Sequence, residues 1–201
     1  MLRFDPTAHY ILEDQRVQLR PLSEHDFESL LPFSLNEPDL WTYSLTPADG
    51  EENLRNYIAA SLEQRSKGSS YPYLVFDKVK QKVAGSTRFY DIQLTHATVQ
   101  LGYTWYGSEF QGSGLNYHCK YLMLAFAFEE LQTERIEFRA DAKNARSIAA
   151  MKKIGCTVEG ILRNNCASPN GRRDSIVLSI LRTEWYDQIK EKLYSKTYLN
   201  A

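Results

Sequence analysis

The chain has 201 residues, 43% of them apolar and 24% charged, with a formal charge of −1 at pH 7. That length and composition fit one globular domain with a sizeable core and argue against disorder. The near-neutral charge leaves no electrostatic footprint for nucleic acid or an anionic membrane; with no apolar run near the roughly 18 residues of a membrane span and no signal-peptide core at the start, a cytoplasmic location is expected.

Residues 1–15 read as an irregular arm, 16–183 as a single domain and 184–201 as a C-terminal helix and tail. Gln15 to Leu22 alternates Val17 and Leu19 with polar neighbours, as a strand does. Ser23, with Asp26 three residues on, predicts a helix through about Phe33. Between Pro47 and Lys67 the apolar positions Leu54, Tyr57, Ile58 and Leu62 recur at helical spacing. Three β-like runs follow, Tyr71 to Asp77, Lys82 to Ile92 and Thr98 to Tyr106, economically read as an antiparallel meander.

A turn, Gln111-Gly112-Ser113-Gly114-Leu115-Asn116, then launches an apolar helical pattern from Leu115 to Leu131. A strand from Arg135 to Asp141 and a helix from Asn144 to Ile154, stopped by Gly155, come next; this alternation implies a crossover and a locally parallel pair. Thr157 to Asn164 and Asp174 to Leu181 bracket a turn at Pro169-Asn170-Gly171, as in a hairpin. The closing helix, Glu184 to Tyr194, has Trp185, Ile189 and Leu193 on one face, which either closes the chain's own core or meets a second copy as a homodimer. Cys119, Cys156 and Cys166 are odd in number and lack metal-ligand spacing, so plain thiols are expected, with no disulfide framework and no metal site.

Glycines at a strand-to-helix junction expose backbone N–H groups to a phosphate, and the helix adds its positive dipole end. A nucleotide-triphosphate loop requires Gly-Lys-Ser/Thr where Gly114-Leu115-Asn116 stands, and a dinucleotide fingerprint needs a third glycine where Tyr117 stands. A connection without any ligand is the remaining local alternative.

The turn, taken with Leu19-Arg20-Pro21-Leu22, Ala84-Gly85-Ser86, Gly102-Tyr103-Thr104-Trp105, Asn144-Ala145-Arg146-Ser147 and Glu159-Gly160-Ile161-Leu162-Arg163, resembles the GCN5-related N-acetyltransferase superfamily. Within it, these segments look like the branch of ribosomal-protein N-terminal acetyltransferases, in order from about Val17 to Trp185. The resemblance implies an α/β fold: a mixed sheet with an antiparallel N-terminal meander, a splayed parallel pair at its centre, flanking helices and a C-terminal hairpin. It also implies acetyl-CoA as co-substrate, no metal, and direct sequential transfer to a primary amine of a peptide or protein N-terminus or a small molecule. A catalytically silent acyl-CoA sensor or partner-binding module on the same fold is the alternative.

Carried over position by position, the resemblance assigns the pyrophosphate to Gln111, Gly112, Ser113, Gly114, Leu115 and Asn116; Asn116 departs from the small residue usual at that place. The pantetheine arm falls on Thr104, Trp105 and Tyr106, whose backbone N–H groups face the thioester carbonyl. Lys120 reads either as a further charge for the phosphates or as a solvated helix residue. Asn144 is directed to pantetheine, although a helix N-cap explains an Asn there equally well. Ser147 is given the part of proton donor to the thiolate that relatives with an Asn-x-x-Ser motif imply, since the position seven after Asn144, a Tyr in many relatives, is Met151 here; an ordinary first-turn helix serine, with the thiolate leaving unaided, is the alternative. Glu109, Asp141 and Glu159 are candidate bases, with Glu159 favoured by its motif. Trp41, Tyr43, Arg88 and Tyr90 are candidates to grip the acceptor, against the alternative that the aromatics are core.

Overall fold

The computed structural model describes residues 2–169 and 171–199. Its strands are β1 (Leu12–Glu13), β2 (Val17–Pro21), β3 (Ser70–Asp77), β4 (Lys82–Gln93), β5 (Thr98–Tyr106), β6 (Arg135–Asp141), β7 (Thr157–Ser168) and β8 (Gly171–Leu181). They form one sheet in the order β1-β2-β3-β4-β5-β6-β8-β7. Neighbours are antiparallel except β5 and β6, which run parallel at the centre. The β7–β8 hairpin folds back so that its second strand lies beside β6.

Both faces of the meander are covered, which explains why β3 is apolar almost throughout. Successive side chains alternate faces: Tyr71, Tyr73 and Val75 join the larger core under α3 (Leu115–Ala125) and α4 (Ala145–Lys153), while Leu74 joins a second core under α1 (Phe27–Asn36) and α2 (Glu51–Ser66). The C-terminal run comprises α5 (Arg182–Glu184), a π-helical turn, α6 (Lys190–Tyr194) and a second π-helical turn to Leu199. Trp185, Ile189 and Leu193 are buried in the chain's own larger core, which answers the question the amphipathic pattern left open. Among the described residues no helix is long and apolar enough to cross a membrane. The cysteines are free thiols, Cys119 and Cys156 buried and Cys166 partly so.

Several boundaries differ from the sequence pattern. α1 starts at Phe27 because the Ser23 N–H and Oγ both donate to Asp26 Oδ2, at 2.8 and 3.0 Å, which tightens the chain into a 3-10 turn first. Asp26 is held there by an ion pair with Arg20. The helix after the Gly-rich turn is α-helical only to Ala125 and continues as a π-helical turn to Glu130. The hairpin strands reach Ser168 and start from Gly171; Asn170, between them, lies outside the described residues, as do 200–201 of the tail. The arm contributes β1, and the Tyr10 N–H donates to the Tyr71 hydroxyl at 3.0 Å.

Residues far apart in the sequence meet on one carboxylate. Asp14 Oδ2 lies 2.7 Å from His118 Nδ1 on α3 and accepts from the Tyr198 hydroxyl at 2.8 Å, while Oδ1 accepts the Arg16 and Val17 N–H groups. Burial pushes this carboxyl up, but the His118, Val17, Tyr198 and Arg16 hydrogen bonds outweigh it and draw the pKa from 3.8 down to about 2. A depressed folded-state pKa contributes stability that is present above the unfolded value and is lost as the pH falls through the folded one. Asp14→Ala is therefore expected to cost about 1–3 kcal/mol at neutral pH. In urea unfolding series, its deficit against the native protein should shrink as the pH is lowered from about 4 towards about 2.

Candidate active site

β5 and β6 are bonded only through Thr98, Val99 and Gln100 against Arg135, Ile136 and Glu137. Beyond these pairs they separate, although β6 remains paired to β8 as far as Asp141. The cause is visible on the other side of β5. The β4–β5 register shifts between Ser86 and Arg88, so β5 carries an extra residue at Tyr103 and Thr104, with Tyr103 at φ +49°. Such a bulge bends its strand. Gly85 permits the close approach beside it: a β-carbon built there would overlap the Trp105 carbonyl oxygen and stand 3.0 Å from the Trp105 carbonyl carbon. The separated strands open a cleft of about 1250 Å³, larger than the roughly 300–1,000 Å³ of ordinary small-molecule sites.

At one end of the cleft lies the Gly-rich turn. Gly112 and Gly114 have φ of +73° and +83°, and nothing stands within 4 Å of a β-carbon built on either. The turn is tied to β5 by Gln111 Nε2, which donates to the Tyr106 carbonyl at 2.8 Å, and to its own start by Ser113 Oγ, which donates to the Phe110 carbonyl at 2.6 Å. Leu115 is fully buried and anchors α3. The N–H groups of Gly112, Ser113, Gly114 and Asn116 find no acceptor among the described residues. Four donors at a helix N-terminus with open space before them are the arrangement that an anion requires. Asn116, the unusual residue of the turn, accepts a hydrogen bond from the Tyr106 hydroxyl at 3.2 Å.

The opposite wall comes from the end of β6 and from α4. Asn144 is the N-cap of α4: its Oδ1 accepts the Ser147 N–H at 3.0 Å, leaving its amide group for the cleft, which both residues line. Met151 lines the same space and offers no proton. Of the three carboxylates considered, only Asp141 reaches the cleft. Glu109 is paired with Lys80 and Lys82. Glu159 lies at the closed end of the strand pair, held by the Arg135 guanidinium and by the Ser179 hydroxyl at 2.6 Å. The Arg135 and Ser179 hydrogen bonds hold its carboxyl below the ordinary range, and it does not line the cleft.

On the α1/α2 side, Trp41 and Trp105 pack with ring centroids 5.3 Å apart, and Tyr90 meets Tyr103 edge-on at 5.0 Å. Trp41, Tyr43, Tyr90, Tyr103 and Tyr57 line the cleft; Tyr43, largely exposed, stands at its mouth. Arg88 lies behind this wall, with its guanidinium over the rings of Tyr103 at 4.2 Å and Tyr57 at 4.8 Å. Trp41 Nε1, the Tyr57 hydroxyl, Trp105 Nε1 and Arg88 Nε and Nη2 are buried without hydrogen-bond partners among the described residues. Burial raises the Tyr57 pKa, but the Arg88 charge, together with the polar groups around it, lowers it more. Tyr57 and Tyr103 carry no motif and read in the sequence as core and strand aromatics. Lys120 is neither solvated nor at the Gly-rich turn: it is buried and donates to Thr104 Oγ1 at 2.8 Å.

The acetyltransferase (GNAT) domain family matches residues 16–157. A curated Bacillus subtilis protein, named as the probable N-acetyltransferase YjcK, is 26% identical over 180 residues, spanning 87% of this chain and 98% of that protein. A T. thermophilus structure, assigned provisionally as an acetyltransferase, superposes with a TM-score of 0.85 at 30% identity, covering 98% of this chain and 100% of that one. The ribosomal-protein-S5-alanine acetyltransferase of Vibrio fischeri shares the fold, with a TM-score of 0.72 at 19% identity over 88% of this chain and 98% of its own.

Because the bulge sets the cleft and Gly85 allows it, Gly85→Ala should force β4 and β5 apart. We expect a stability loss of about 1–3 kcal/mol in urea unfolding, the range for overpacked sites.

Proposed function

This chain belongs to the acetyltransferase (GNAT) domain family, and we propose that it transfers an acetyl group from acetyl-coenzyme A directly to a primary amine. The observation that carries this reading is the pairing of a strand gap with an anion-binding helix start at its end. A pyrophosphate fits the free N–H groups of Gly112, Ser113, Gly114 and Asn116. An extended arm with amide groups fits the unpaired edge of β5 at Thr104, Trp105 and Tyr106, adding to the sheet as a strand does. Asn144, with its amide N–H free, and Ser147 are assigned to the arm from the α4 side. A backbone N–H at the bulge is the donor to the thioester oxygen as charge develops on it.

The acceptor enters from the aromatic wall. Trp41, Tyr43 and Tyr90 contact it, and Arg88 fixes Tyr57 and Tyr103 from behind rather than lining the cleft itself. A peptide N-terminus fits an open aromatic mouth, and the fold shared with an S5-alanine acetyltransferase supports that acceptor class over a buried small amine. Asp141 takes the place of Glu159 as the carboxylate that draws the proton from the incoming ammonium, directly or through water. An acyl-coenzyme A-binding module without turnover is the second reading, favoured by Met151 in the cleft and by Glu159 outside it.

Release of coenzyme A from acetyl-coenzyme A, followed across a panel of N-terminal peptides and small amines, decides between them. Turnover with at least one acceptor is expected; saturable binding without turnover would select the silent module, and absence of binding would reject both. Gly114→Val should weaken acetyl-coenzyme A binding at least tenfold while the fold persists, since a left-handed β-branched residue costs about 1–2 kcal/mol and its side chain fills the space before the donors. Unchanged affinity in calorimetry would move the pyrophosphate elsewhere.

A further inference from the structure

Lys120 is the only buried lysine among the described residues. It lies on the inward stripe of α3 and the π-helical turn that continues it, where Leu124 and Ala127, four and seven residues on, are fully buried. Its ammonium donates to Thr104 Oγ1 at 2.8 Å and to Thr87 Oγ1 at 3.4 Å, and the two hydroxyls bond to each other at 2.7 Å. Thr104 is part of the β5 bulge, so the charge sits beside the unpaired stretch of β5, and Lys120 lines the cleft together with Met151.

The groups around it are neutral. β4 and β5 present the two threonine hydroxyls. Its own helix presents Cys119, whose thiol burial pushes up to about 12, and the segment after α4 presents Cys156, also raised by burial. The Tyr106 phenol is raised well above its ordinary value by burial. No carboxylate pairs with Lys120 among the described residues; Asp14 is engaged by His118 and Tyr198. Burying an unpaired ammonium costs several kcal/mol, and an apolar residue would pack the site more cheaply. A charge kept at that cost, open to the cleft on one side, suits a partner that becomes anionic there.

Resting on the acetyl-coenzyme A reading, we propose that Lys120, in place of Ser147, is the proton donor to the departing coenzyme A sulfur, the part a phenol would play where Met151 stands. As the acceptor nitrogen bonds to the acetyl carbon, the carbon–sulfur bond breaks and its electron pair stays on sulfur. A proton passes from Lys120 Nζ to that sulfur, giving the thiol and a neutral lysine. The acceptor's surplus proton leaves to the base or to water, and the lysine regains one from solvent once the product departs. Burial draws the Lys120 pKa from 10.5 down to about 8, close to the roughly 8.5 of an ordinary thiol. Proton transfer between them is then nearly balanced, and the lysine is still largely protonated at neutral pH.

The test uses coenzyme A itself on the whole chain, with Lys120→Met and Lys120→Arg. Methionine replaces a buried charge with an apolar chain of similar length, so the melting temperature should hold or rise. Followed by thiolate ultraviolet absorbance, bound coenzyme A should ionise about 1–3 pH units lower in the native protein than in Lys120→Met, and Lys120→Arg should keep the low value. With an acceptor from the panel, native kcat should fall as the pH rises through about 8. Both variants should lose about 100-fold in kcat, without that limb and with KM for acetyl-coenzyme A nearly unchanged. Equal thiol ionisation in native and Lys120→Met, or full kcat in Lys120→Arg, overturns the assignment while leaving the cleft's reading intact. Failure of coenzyme A to bind the native protein overturns both.

Discussion

From Leu101 to Tyr106 the edge of β5 that faces β6 has no strand to bond to, and a peptide group kept from water without a partner costs about 1–3 kcal/mol. The remainder of the molecule makes that exposed edge permanent. The bulge at Tyr103 and Thr104 turns β5 away, Gly85 lets β4 follow it, and β8 holds β6 on the far side so that it cannot close the gap. An open sheet edge in the middle of a protein is a liability unless something fills it. On the proposed acetyl-coenzyme A reading, the filling chain is the ligand's, and the sheet is completed when the cleft is occupied.

Two cations lie on opposite faces of the same bulge. Arg88 is on the α2 face, stacked on Tyr57 and Tyr103, while Lys120 is on the α3 face, bonded to Thr87 and Thr104. Alternation along β4 puts Thr87 and Arg88 on opposite faces, and the single extra residue in β5 brings Tyr103 and Thr104 to meet them. The aromatic shell shields one charge and the hydroxyl pair solvates the other. Both positive charges thus lie against the same bulge, where the proposed acyl transfer would put charge on oxygen and sulfur.

Much of this was legible in the chain. The limits of β5 and β6 follow from alternation and from the polar turns around them, and the Gly-rich turn is where backbone donors without side-chain obstruction are required. Asn144 is the helix cap that its type and position suggest, and because one amide oxygen suffices for the cap, its amide nitrogen is left on the cleft side. The losses came from tertiary pairing. Ser23 starts a 3-10 turn rather than α1 because Asp26 is held by Arg20, six residues away. Glu159 is favoured as a base by its motif alone, yet the hairpin register places it beside Arg135 at the closed end of the gap, and register does not show in a single sequence. Lys120 did leave a trace: a lysine in line with Leu124 and Ala127 breaks an apolar stripe, and a polar residue in that position is either strained or useful.

The carboxylate of Asp14 joins the first strands, α3 and the second C-terminal π-helical turn at one point. α3 is also the helix whose first turn follows the Gly-rich turn and whose second carries Lys120. The segments around Asp14 and Tyr198 thus brace the helix on which the proposed cofactor site is built, and a change in either would reach that site from some distance away. The bond between them spans 184 positions of chain, and closing so long a loop is entropically costly. Strand pairing between the two residues shortens the loop that this contact has to close, so the brace on α3 depends on the sheet beneath it.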